Sequence, residues 1–165
     1  MQLQAMALKF PPCGSHPNRV GFEGILTLVN EASDKPPAGA RGHRVVLTRD
    51  AAERALPSLL GMAVDYKPGW DGHDTRCKIG VLTEANLRGQ RLMVRGYLYA
   101  RDFPDVAKAI RAHAPEALGM SYEVAEAKVE DLKAEVWKLT RVTFTGAAIL
   151  LREKAAYRGT SFKMA

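Results

Sequence analysis

The sequence predicts a mainly β, α+β fold: an antiparallel sheet of about six or seven strands that curls or closes, decorated by helices. Three observations point there. Most apolar segments are short and strand-like, several alternating with a period of two. Two of them, 78–86 and 91–99, are joined by a glycine-containing connection of hairpin length. Only two segments, opening at Asp50 and Pro104, repeat their apolar residues at helical spacing.

In chain order, residues 1–20 carry Pro11, Pro12, Gly14 and Pro17 and read as an irregular leader. Residues 21–30 are rich in β-formers and give the first strand; Pro36-Pro37 and two glycines mark a flexible loop, and His43 to Thr48 is a second strand. Asp50 is expected to cap a helix on Ala51, Ala55, Leu59 and Leu60, which Pro57 bends or splits. Met62 to Tyr66 returns as an extended segment, and residues 67–76 form a polar turn carrying His73. Leu87 to Gln90 connects the hairpin. Pro104 to Ala114 is the second helix, with proline in the first turn, where its missing N–H costs least. Residues 118–129 and 134–150 are two long arms joined around Glu130 to Lys133. In the tail, Ala155-Ala156-Tyr157 is a candidate to dock on the body.

With 165 residues the chain has the length of one domain with a full core. We take residues 21–162 as that domain and 163–165 as a tail, an arbitrary boundary or a self-cleavage end. The first ten residues are too short and too soon broken by proline for a secretory signal. No apolar run reaches membrane-spanning length, and a cytoplasmic, membrane-free protein is expected. A net charge of +6 is compatible with acidic partners, but the basic residues form no run of four and aromatics make up only 7%. A nucleic-acid-binding barrel would need a stacking platform, so no nucleic-acid partner is expected. Cys13 and Cys77 form no paired motif; Cys13 and His16 could share a metal, but no second ligand pair follows. Two free thiols and no metal are the expectation.

Chemistry concentrates in two places. Gly119-Met120-Ser121-Tyr122-Glu123 sets a hydroxyl behind a glycine in a strand-like run, and Trp70-Asp71-Gly72-His73-Asp74 sets a histidine in a tight polar turn. A serine needs a base to lose its proton near neutral pH, and imidazole is the usual one. Trp70 and Tyr122 are either cleft aromatics or core packing.

The order of these motifs, with Ile79-Gly80 and Gly146-Ala147-Ala148-Ile149-Leu150 following them, resembles the prohead (capsid maturation) serine proteases of tailed phages, similar in fold to herpesvirus assemblin. The resemblance runs from about Gly21 to Phe162. It implies a closed antiparallel β-barrel surrounded by helices, His73 as general base, Ser121 as nucleophile and no cofactor. It also implies scaffold and major capsid protein as substrates, self-cleavage, a location inside the procapsid in the host cytoplasm, and homodimers or higher oligomers as a compatible state. Arg152 matches the arginine that supports the oxyanion in that family. The family's third catalytic member falls at Arg141, which cannot accept the imidazole proton. Glu123, two residues from Ser121 on the same strand face, is one substitute; Thr143 or Thr145, or a Ser–His dyad, are others. A cross-strand pair between Glu123 and Arg141 is an equal alternative. A degenerate, inactive member acting as a capsid assembly or scaffold-anchoring domain is the second function class.

Overall fold

A computed structural model describes residues 16–165. Cys13 and most of the expected leader lie outside the described residues. The elements are β1 (Arg19–Leu28), β2 (Arg44–Leu47), α1 (Arg49–Ala55), β3 (Ala63–Tyr66), β4 (Lys78–Arg88), β5 (Arg91–Tyr99), α2 (Pro104–Ala112), β6 (Leu118–Val129), β7 (Val136–Leu151) and β8 (Ser161–Met164). Single 3-10 turns, Leu56–Leu59 and Arg152–Lys154, follow α1 and β7.

Local chemistry accounts for the element ends, with some corrections. Thr48, not Asp50, caps α1: its hydroxyl accepts from the Ala51 N–H at 3.2 Å. Asp50 instead pairs one turn on with Arg54 at 2.6 Å. Pro57 splits the helix as expected, turning its end into the 3-10 segment. The β4–β5 connection is tighter than the sequence suggests, because the strands pair as far as Arg88 and Arg91 and leave only Gly89-Gln90 outside. Gly89 takes φ +57°, the left-handed conformation such a turn demands. In the tail, Tyr157 does dock, its hydroxyl reaching the carbonyls of Val45 at 3.0 Å and Glu31 at 3.1 Å. Beyond it Ser161–Met164 adds an eighth strand against β1, past the domain boundary taken at 162.

Seven strands follow one hydrogen-bonded path, β2-β7-β3-β4-β5-β1-β8, and β6 pairs with β7 off that path. β7 makes this branching possible. Its sixteen residues hold β2 near its start and β3 near its end, while β6 runs antiparallel along it. Both β2 and β3 run parallel to β7, so the sheet is mixed rather than antiparallel. Leu26, Val64, Ile79, Leu82, Met120, Phe144 and Ile149 fill its concave side without solvent contact beyond 1%. No helix among the described residues is long and apolar enough to cross a membrane.

The expected closed barrel is also corrected: the ladder curls into an open half-barrel and does not join β8 to β6. Side chains fill the seam instead. The Thr160 hydroxyl, just before β8, accepts the Met120 N–H of β6 at 3.3 Å. Met120 then lies over Gly24 of β1, where an added Cβ would meet its sulfur at 2.6 Å and the Ser161 carbonyl at 2.5 Å. Gly24→Ala is expected to destabilise the fold by about 1–3 kcal/mol, the usual cost of overpacking a filled site. Urea denaturation measures it, and a variant as stable as wild type would show that the seam is loosely packed.

Candidate active site

The site lies on the outer, convex face of β6, β7 and β3. Register and side-chain alternation put it there. Along β6, Leu118, Met120 and Tyr122 point into the core, so Gly119, Ser121 and Glu123 point outward. Ser121 stands opposite Ala148 of β7, and Ala148 stands opposite Asp65 of β3, giving an outward row of three. The next row on the β6–β7 pair is Glu123 opposite Gly146. Gly146 and Ala148 thus make a low floor between taller polar neighbours. Gly146 leaves room there: a Cβ would come within 3.3 Å of Glu123 Oε2 and 3.4 Å of the Ala63 carbonyl, so the carboxylate would have to shift slightly.

His73 arrives over this floor on the loop between β3 and β4, which is pinned at several points. The Trp70 carbonyl accepts the Leu151 N–H at 2.8 Å, and the Trp70 ring packs against Tyr66 and edge-on to His113. Trp70 takes φ +58°, uncommon for a non-glycine residue, and these contacts hold it there. Lys67 pairs with Asp71 at 3.1 Å, and the Asp74 N–H donates to Asp65 Oδ1 at 3.0 Å. Burial, then Cys77, pushes the Tyr66 hydroxyl pKa up, so that ring stays neutral at the base of the loop.

The result is a convergence of two carboxylates on one imidazole nitrogen. His73 Nδ1 lies 3.1 Å from Glu123 Oε1 and 3.7 Å from Asp65 Oδ2. Neither contact is aligned as a hydrogen bond, and buried Nδ1 has no hydrogen-bond partner among the described residues. Asp65 has a side chain only 4% exposed, whereas His73 and Glu123 are about a quarter exposed. A carboxylate against Nδ1 favours the tautomer with its proton there and leaves Nε2 as the acceptor.

Of the residues singled out in the sequence, His73 and Glu123 are brought together. Ser121 shares their face, but no hydrogen bond joins it to His73, and its hydroxyl has no hydrogen-bond partner among the described residues. Arg152 is engaged elsewhere: Nε donates to the Thr160 carbonyl at 3.0 Å and the guanidinium pairs with Glu116 at 2.8 Å. Arg141 is exposed and paired in register with Lys128, so the cross-strand pair between Glu123 and Arg141 does not form. Thr143 donates toward Glu126 at 3.4 Å instead of toward His73. Tyr122 is a core aromatic, edge-on to Phe144 at 5.5 Å, and burial pushes its hydroxyl pKa up. Asp65 was missed by sequence reasoning. Its one signal is a charge in the outward slot of the otherwise apolar Ala63-Val64-Asp65-Tyr66 strand.

No protein-family model matches the chain, and no curated protein sequence matches it. Among solved structures it is similar to the varicella-zoster virus protease, with 11% identity and a TM-score of 0.52 over 88% of this chain and 64% of that one. It is also similar to the KSHV protease in complex with a hexapeptide phosphonate inhibitor, with 13% identity and a TM-score of 0.55 over 88% and 65%. The chain therefore spans just under two thirds of the length of these structures, and at such identity the likeness is one of fold.

Beside His73, the Arg76 side chain hydrogen-bonds the Asp74 carboxyl and holds its pKa below the usual carboxylate range. A carboxyl held low in the folded chain adds stability above the pKa of a free aspartate, about 3.9, and loses it as pH falls through the folded value. Arg76→Ala is expected to move the Asp74 midpoint upward in a carboxyl 13C NMR titration. An unmoved midpoint would remove Arg76 as the cause.

Proposed function

We propose that the chain is a serine endopeptidase in which Ser121 is the nucleophile, His73 the general base and Glu123 the residue that orients the imidazole. One observation carries the reading: His73 Nδ1 sits 3.1 Å from Glu123 on the sheet face that presents Ser121 two residues along the same strand. Glu123 is thus favoured over Thr143, Thr145 and a bare dyad. The fold supports the activity class, since both solved structures above are proteases and one holds a peptide-like phosphonate inhibitor.

The chemistry follows from the tautomer. With Nδ1 protonated against Glu123, Nε2 takes the hydroxyl proton as the Ser121 oxygen attacks the peptide carbonyl. The imidazolium then returns that proton to the leaving amine, and water cleaves the acyl-enzyme by the same route. Contact between Ser121 and His73 tightens with substrate, as catalytic hydrogen bonds left loose in a free enzyme commonly do. Asp65 would help by stabilising the imidazolium from its second side. Arg152 acts by support rather than contact. It fixes Thr160 and Glu116 beside Gly119, where an added Cβ would be 2.5 Å from the Thr160 hydroxyl and 3.3 Å from the Arg152 Cα. The reaction needs no cofactor.

The substrates belong to the same proposal: procapsid scaffold, the coat-protein leader and the chain itself, cleaved inside a phage procapsid. They rest on the motif resemblance, from His73-Asp74 to Gly146-Ala147-Ala148. The reading as a catalytically inert assembly domain rested on Arg141 as third member, and Arg141 is exposed opposite Lys128.

The test is intact mass over time for the chain carrying a short scaffold extension. Trimming is expected in wild type and absent in Ser121→Ala, with a fluorophosphonate labelling wild type alone. Glu123→Gln is expected to lower kcat by up to about 10⁴, the loss when an orienting carboxylate becomes its amide. Wild-type protein that stays intact and unlabelled at high concentration would sink the peptidase.

A further inference from the structure

We infer that Asp65, Nδ1 of His73 and Glu123 form a binding site for one zinc-like divalent cation, and that filling it switches peptide cleavage off. The binding half stands on geometry alone. The inhibitory half rests on His73 being the base of the proposed peptidase.

The three donor atoms all lie within 4.8 Å of one another. A tetrahedral zinc with bonds of about 2.0–2.1 Å needs ligand atoms about 3.4 Å apart. The two edges at His73, 3.1 Å to Glu123 and 3.7 Å to Asp65, bracket that spacing. The third edge, between the Asp65 and Glu123 oxygens, is at most 4.8 Å.

The electrostatics ask for a cation. Nδ1 is buried without a hydrogen-bond partner, and two carboxylates face it. One Nδ1 proton can serve only one of them at a time, yet the Asp65 side chain is almost wholly buried, where an unpaired charge is costly. A divalent ion satisfies both carboxylates and the nitrogen together. The outer support also suits a metal. Asp65 Oδ1 is fixed by the Asp74 N–H, and Gly146 clears the space into which the Glu123 carboxylate folds. The His73 and Glu123 side chains are each about a quarter exposed, and water would supply the fourth ligand of a tetrahedral ion.

One imidazole nitrogen with two carboxylate oxygens selects Zn²⁺ and its neighbours over Mg²⁺ or Ca²⁺, which take six or more oxygens. A metal on Nδ1 needs the nitrogen lone pair, so the imidazole proton must sit on Nε2. That tautomer cannot accept the Ser121 proton. Metal binding and serine activation therefore exclude one another at the same atom.

The binding test uses Ser121→Ala protein with Cys13→Ser and Cys77→Ser, stripped with EDTA and dialysed, so that neither cleavage nor thiols contribute. Calorimetry with Zn²⁺ is expected to give one site, and Co²⁺ to give the absorption bands of a tetrahedral centre. Adding Glu123→Gln is expected to weaken Zn²⁺ at least about 100-fold, since even second-sphere changes cost 10–100-fold. His73→Asn should do the same, and far-UV circular dichroism checks both folds. Equal Zn²⁺ affinity with and without Glu123 and His73 would overturn the site, whatever the outcome for cleavage. In the second arm Zn²⁺ is titrated into active wild type. Cleavage should fall to background at one equivalent bound and return with EDTA. Binding without loss of cleavage, or a rise in cleavage, would overturn the inhibitory role while leaving the site itself standing.

Discussion

Strand β7 is the constraint on which the rest of the molecule depends. Among the described residues it alone pairs with β2, β3 and β6 at once, so it joins β2 and β6 to the rest of the sheet. Its residues around Gly146-Ala147-Ala148-Ile149 must also serve two faces. Ala147 and Ile149 turn inward and are fully buried in the core, while Gly146 and Ala148 turn outward and are kept small. Larger side chains at the outward positions would fill the depression in which Glu123 and Asp65 approach His73. Packing on one face and access on the other thus depend on the same four residues.

On that floor the electrostatics are deliberately uneven. A nearly buried carboxylate, Asp65, and a part-exposed one, Glu123, share a single imidazole nitrogen. Both the proposed acyl transfer and the proposed metal site turn on that one nitrogen. Loop contacts keep the histidine in place without using its ring: Trp70 anchors one end through backbone and ring packing, and Asp74 bonds back to Asp65 at the other. Ser121 is held on the strand, with its hydroxyl left unengaged among the described residues.

The open seam between β8 and β6 has a related logic. A closed ladder would have fixed the N-terminal half of β6 from both edges. Here Thr160 and Met120 close the gap through one hydrogen bond and side-chain packing, while Arg152 secures the Gly119 end. The strand carrying Ser121 and Glu123 is therefore held by the β7 ladder on one edge and by specific contacts on the other.

By itself the sequence determined most of the strands, both helices, and the two motifs that contain Ser121 and His73. Period-two alternation, proline at a helix start and glycine at a turn are local signals, and local physics decides them. It also determined that Glu123 shares a face with Ser121, because alternation along one strand needs no partner. Only the tertiary structure decided which strand lies beside which, and with that the parallel pairing of β2 and β3 with β7 and the open seam. It alone set Arg141 against Lys128, Glu123 against Gly146 and Asp65 against His73. These are register facts: a shift of one residue turns every side chain to the opposite face, and no local pattern in a short apolar strand such as 63–66 specifies its partner. Asp65 went unread for that reason, since a lone aspartate in a strand gains its meaning only from the imidazole that the fold brings over it.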